Sequence, residues 1–362
     1  MISVTNRRLG TVVAAAGVTA ALMAAVLNGS AAAASATAGI TLPAGFTATV
    51  FASSPTKSVT GPDDLTSLDG QLFVAFQNGV GSMGEPAPGG RTKSTVVEYD
   101  RDGRPVAHWD LTGKVDGMGA DPSRDRVIAT VNEDGNSSLY TITPREHAVR
   151  HFTYSPNPLS HGGGTDSVIV RHGVIFVSAS APAPDADGTT FSGPALYTAK
   201  LDDGTATLTP VLQDNSVATD VVTGKSVTLN LSDPDSSEVV PHAVRHFGGD
   251  VLLDSQGDGE LIFLSHPGGD RQRADVLNLS TQVDDTAFAT DRDGTLYVVD
   301  SGNNDVVAIH GPFQRGSAIT SIPNDSTTLP AVVGTIDLST GTVSPFGTGF
   351  GNPKGLLFAS DN

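Results

Sequence analysis

Apolar residues along this chain fall in short runs rich in β-branched and aromatic side chains, each bounded by Gly, Asp, Asn or Pro. The stretch "DDTAFATDRDGTLYVVDSGNND" at 284–305 gives the template: an acid, an apolar run, a tight turn, a second apolar run and another acid. First-strand segments of this kind are "PDDLTSL" at 62, "VDGMGAD" at 115, "TDSVIV" at 165, "SEVVPHAV" at 237, "DDTAFAT" at 284 and "PKGLLFA" at 353. After the first five, a turn such as "LDG" or "DRDG" leads to a second strand: "QLFVAF", "RVIATV", "VIFVSA", "DVLLDS" or "TLYVVDS". Third strands follow, among them "STVVEYD", "PALYTAK" and "DVVAIH", then outer strands such as "RPVAHWDL" and "TATLTPVL".

Four antiparallel strands per unit, repeated at irregular blade-like spacing, predict an all-β fold, a β-propeller in which radial closure protects the sheet edges. Six first strands imply six blades, with five as the alternative. The segment "GFTATVFAS" near the N-terminus supplies an outer strand for the last blade, so both termini close the ring. Two turn-rich stretches, 214–236 and 312–331, read as insertions.

Composition agrees with a turn-rich β protein: 41 Gly, 22 Pro and only 17% charged residues. "NRRLG", the apolar run "TVVAAAGVTAALMAAVL" and "ATA" at 36–38 form the three parts of a signal peptide. They predict a leader over 1–38, a single propeller domain over 39–362 and a secreted, extracellular protein. With no Cys, disulfides, thiolate metal sites and lipid attachment through cysteine are excluded. The net charge is −18, and loss of Arg7 and Arg8 with the leader takes it to −20. Such acidity argues against nucleic acid or an anionic membrane and points to a cation or a small polar molecule as partner of a monomer.

"NPKGLLFA", "DGTLYVVDSGNNDVVAI" and "LPAGFTATVFA" resemble segments of the NHL-repeat and SMP-30/gluconolactonase-like six-bladed propellers, secreted bacterial members included. The resemblance implies the fold over most of 40–362, and its functions range from lactonases to pure binding modules. Its lactonase branch implies a divalent cation on the propeller axis, held by a Glu, Asn residues and an Asp. Here Asp63 stands where that Glu is expected, and no Pro-Asn-Gly segment is present.

Aligning the six first strands on their apolar residues puts Asp63, Asp116, Asp166, Glu238, Asp285 and Lys354 at one position; Asp64 and Asp284 leave room for a shift of one. The ends of the second strands add Asn78, Asn132, Glu133, Asp254, Ser255, Asp300 and Asn303 on the same face. Crowded carboxylates repel, so they protonate, stay hydrated or take up a cation. An all-oxygen set makes Asp63, Asp116, Asp166, Glu238 and Asp285 candidate ligands for Ca²⁺, with Mg²⁺ behind it. Asp at the start of a strand also serves simply to accept loop N–H groups.

Gly-x-Ser-x-Gly, phosphate-loop and His-Glu-x-x-His motifs are absent. "HGGG" at 161–164 reads as a Gly-rich connection, in which His161 is a candidate general base, with Glu238 as a second candidate catalytic group. His242 reads as a core residue and Trp109 as outer-strand packing. The expectation is a secreted propeller whose acidic face binds a divalent cation and a small polar ligand. Alternatives are a metal-dependent lactone or ester hydrolase or lyase, and a non-catalytic protein-binding scaffold.

Overall fold

A computed structural model describes residues 39–324, 326 and 328–360; the leader expected over 1–38 lies outside the described residues. Among the described residues there is no α-helix and none long and apolar enough to cross a membrane. After β1 (Thr47–Ser53), a first sheet contains β2 (Pro62–Leu68), β3 (Gln71–Phe76), β4 (Lys93–Tyr99) and β5 (Pro105–Thr112). The second contains β6 (Val115–Asp121), β7 (Arg126–Val131), β8 (Ser138–Thr143) and β9 (Ala148–Ser155), and the third β10 (Gly164–Arg171), β11 (Val174–Ser180), β12 (Pro194–Asp202) and β13 (Thr205–Gln213). Parallel pairing of β13 with β9 joins these two into one eight-stranded sheet that nearly closes on itself.

A hairpin, β14 (Val217–Asp220) and β15 (Ser226–Thr228), borders the fourth sheet of β16 (Pro234–Val239), β17 (Val251–Ser255), β18 (Glu260–Ser265) and β19 (Arg273–Asn278). It occupies part of the stretch read as the first insertion. The remaining strands are β20 (Asp285–Phe288), β21 (Asp293–Asp300), β22 (Asp305–Pro312), β23 (Ala318–Ile322), β24 (Val332–Asp337), β25 (Thr342–Thr348) and β26 (Pro353–Ser360).

The six first strands neighbour one another in a closed circuit: β2 beside β6, then β10, β16, β20, β26 and β2 again. Each gap between adjacent sheets holds its own apolar cluster, the last one bringing Val299 and Val306 against Leu65 and Val74. This is a β-propeller arrangement. Two-residue turns at Asp69–Gly70 and His172–Gly173, all with positive φ, make the tight first-to-second strand hairpins.

One expectation is corrected. The segments "DDTAFAT" and "TLYVVDS" do not form a hairpin: β20 pairs with β23, in the order β20-β23-β24-β25, while β21 lies between β22 and β26, in the order β1-β22-β21-β26. The stretch 312–331 is therefore not a mere insertion, since it carries β23, all five of whose residues are buried. Strand lengths fit this pairing. β21, β22 and β26 each have eight residues and pair along their lengths, whereas β20 has four and matches the five of β23. The two crossing connections brace each other, Ala289 N–H donating to Ser317 O (3.0 Å), Gly316 N–H to Ala289 O (2.7 Å) and Phe313 N–H to Arg292 O (3.0 Å). Both termini meet in the last sheet as expected, with β21 and β22 as its middle.

This pairing predicts a cross-link. Thr295 faces Ala359 across β21 and β26, and opposed residues of an antiparallel pair lie about 4.5–5.5 Å apart at Cα, within disulfide range. Thr295→Cys with Ala359→Cys, in a chain with no other thiol, is expected to lose both thiols on mild oxidation without forming dimers. Two thiols that stay free under those conditions would contradict the strand order.

Candidate functional site

At one end of five of the six first strands the pairing slips by one residue. In β2, Pro62 opposes Phe76 and Leu65 opposes Val74, so Asp63 and Asp64 share the single partner position at Ala75. The same bulge recurs in β6, β10, β16 and β26, and in β20 both Asp284 and Asp285 meet Ser321, through its carbonyl (2.9 Å) and its hydroxyl (3.1 Å). A bulge turns an extra side chain off the regular alternation. The first bulge position is held by Asp63, Asp116, Asp166, Asp235, Asp284 and Lys354, all lining a channel cavity of about 530 Å³. The second is held by Asp64, Gly117, Ser167, Ser236, Asp285 and Gly355.

Sequence alignment therefore found Asp63, Asp116, Asp166 and Lys354 but slipped by one at Asp285 and by three at Glu238. The slip at Glu238 came from "VVPHAV", of which only Val239 belongs to β16: Val240 and Val244 lie in the loop after it and pack into the core. A usable signal was present, because Pro62, Pro234 and Pro353 each stand immediately before a first bulge position.

The second bulge position lies against the adjacent strand. A Cβ on Gly117 would come within 2.5 Å of Asp166 O and Ser167 Cα. Asp64 and Asp285 instead reach across: Asp64 Oδ2 accepts Met118 N–H (2.5 Å), and Asp285 Oδ2 accepts Leu356 N–H (2.6 Å). Asp285 is thus a staple between β20 and β26 rather than a ring member. Glu238 lines the channel deeper down, with Oε1 accepting Val239 N–H (2.7 Å).

Charge at this mouth is unbalanced, eleven acids and two lysines lining the cavity. Lys354 pairs with Asp284, while Lys114 pairs with Asp116 (2.8 Å) and with Glu133. Asp166 and Asp235 have no lysine partner among the described residues and stand against each other; desolvation by burial, then the charge of Asp235, holds Asp166 well above the carboxylate range. Burial also lifts Asp63 to about 6, against the pull of Lys354 and Lys114, Asp285 to about 7 and Glu238 to about 8.

The other candidates are placed differently. Asn78 accepts Thr60 N–H and donates to Lys93 O, and Asn132 accepts Lys114 N–H and donates to Asn136 O, so each shapes a loop. Asp300 accepts Gly351 and Asn352 N–H groups and the Asn303 amide. It closes a loop away from the channel, in a different sheet from Asp285. His161 is 3% exposed, with Nε2 on Gly164 O (2.7 Å) and Nδ1 on Tyr197 Oη (2.8 Å). Both nitrogens are engaged away from the cavity lining, and burial lowers its pKa. Asp254 is fully buried with neither carboxylate oxygen hydrogen-bonded, at the strand position where Thr130 and Ser178 offer hydroxyls to the amides of Gly117 and Ser167. Among the described residues no three His, Asp or Glu side chains converge on one point as a ready metal cage.

No family model matches the chain, and no curated protein matches its sequence. Solved structures share its general course. A gluconolactonase from Xanthomonas campestris is 14% identical over 86% of this chain and 82% of its own, with a TM-score of 0.46. A periplasmic gluconolactonase from Pseudomonas aeruginosa is 12% identical over 83% and 89%, TM-score 0.41, and the WD40 β-propeller domain of Doa1 10% identical over 87% and 97%, TM-score 0.40. At such distances no residue role is carried over, and the propeller assignment stands on strand order.

Carboxyls whose folded pKa is raised stabilise the fold fully below their unfolded value of roughly 4 and lose that contribution as pH rises through the folded value. For Asp63, Asp285 and Glu238 that window ends between about 6 and 8, so in chelator the melting temperature is expected to fall from pH 5 to pH 8. Lys354→Met, which strands Asp284, is expected to cost about 1–3 kcal/mol, between the worth of an exposed and a buried pair, with the larger loss at pH 8. A melting temperature that rises steadily over this range would contradict the burial of these acids.

Proposed function

We propose that this chain is an exported six-bladed β-propeller whose acidic channel mouth holds a divalent cation, Ca²⁺ before Mg²⁺, and with it a small polar ligand. The observation that carries this is the placement of five aspartates and one lysine on equivalent bulge positions around one opening. The donor set suits a hard cation: it is all oxygen, Asp166 and Asp235 face each other without a counter-charge, and Asp254, on the strand paired with β16, has no hydrogen-bond partner. Asp166 and Asp235 would hold the cation together with its water, with Asp284, which is paired with Lys354, nearby. Export rests on the leader pattern of residues 1–38.

A hydrolytic reading is favoured by one feature. Glu238, which lines the same channel with its carboxyl lifted by burial to about 8, would move a proton near the proposed cation, which would polarise a carbonyl. A screen of lactones and esters with and without chelator separates a hydrolase from a binding scaffold.

The cation itself is tested by melting the mature protein at pH 8 across a Ca²⁺ titration. At a hundredfold excess over Kd the gain is about 2.7 kcal/mol, a shift of a few degrees that Asp166→Asn with Asp235→Asn should abolish. No shift in the wild type would sink the site.

A further inference from the structure

The connections that the repeating unit does not need converge on one place. Where β2–β3 and β10–β11 use two-residue turns, the β16–β17 connection runs through 240–250; the β14–β15 hairpin is extra, and the 313–317 segment carries the chain back between sheets. All three line a cavity of about 1100 Å³ against β19, β24 and β25, at the opposite end of β16 from Asp235. Elaborated loops on a rigid scaffold are where binding sites are usually built.

Its lining is polarised. Arg245 and Arg315 come from the two loops, which touch where Gly316 packs on Ala243 O, a Cβ there lying 3.0 Å away. Both are exposed, and among the described residues neither side chain makes an ion pair or a hydrogen bond. That is notable in a chain with 39 acids and 21 Lys and Arg. Three acids share the lining, Asp220, Asp275 and Asp337, and none makes an ion pair with either arginine: Asp220 accepts Thr223 N–H, and Asp337 accepts the N–H and hydroxyl of Ser339. Asp275 lies on β19, beside the hairpin. Between the walls, Phe247 and Leu338 supply apolar surface.

We infer that this second cavity binds a small organic anion, its carboxylate or phosphate on Arg245 and Arg315 and its apolar body on Phe247 and Leu338. Two guanidinium forks offer bidentate, charge-assisted hydrogen bonds that a single lysine could not.

Calorimetric titration of the full chain with benzoate, phenyl phosphate and uncharged benzyl alcohol tests it. At least one anion should bind about tenfold or more tightly than the alcohol, and the stronger of the two identifies the anion class. Arg245→Gln with Arg315→Gln should remove that preference while leaving the melting temperature unchanged, and Arg245→Gln alone should weaken it several-fold. Asp166→Asn with Asp235→Asn should leave it intact, which keeps this site independent of the channel mouth. Anions binding no better than benzyl alcohol, or an advantage that survives the double arginine variant, would overturn the inference.

Discussion

The constraint on which the channel depends is the bulge that opens five of the six first strands. One extra residue, always at the same end, turns a side chain into a space that six strands enclose. At five of the six first strands the side chain at this position is aspartate. Carboxylates brought together in a partly desolvated space interact far more strongly than on an open surface. Two lysines offset part of this, the backbone N–H groups that Asp64 and Asp285 accept offset more, and Asp166 and Asp235, without a lysine, are held well above the carboxylate range. What remains is an excess of acids over lysines in the lining.

The same strands are held in place by an unusual closure. The last sheet takes its edge from the N-terminal region, its first strand from the C-terminal region and its middle from the hairpin of β21 and β22, which the chain forms between β20 and β23. Because that hairpin leaves the fifth sheet between its first and second strands, the fifth and last sheets are interlocked and cannot part as rigid units. The apolar cluster they share, with Leu296, Val298 and Ile309 on one side and Ala287 and Ile319 on the other, is fed from both excursions.

Sequence pattern alone revealed the all-β repeat, most strand positions and the gathering of acids. It failed where local order and tertiary pairing disagree. "DDTAFATDRDGTLYVVD" has every feature of a hairpin, yet its four-residue strand pairs elsewhere and its eight-residue strand has equal-length partners. The ring register slipped for a related reason, since apolar residues in the loop after β16 pack into the core and drew the alignment three places too far. Prolines before Asp63, Asp235 and Lys354 marked the true register, and they follow from the bulge itself, which frees that N–H from the ladder. Asp254 was legible as an acid near the site, but its lack of any donor is visible only in three dimensions.

The central claim is that the mouth carries several carboxyls kept from ionising by burial and by one another. Carbon-13 NMR titration of the aspartate carboxyls, in chelator, addresses it directly. A group of resonances titrating near and above pH 6, reduced by Asp235→Asn, is the predicted result. Aspartates that all titrate near their ordinary value of roughly 4 would contradict it.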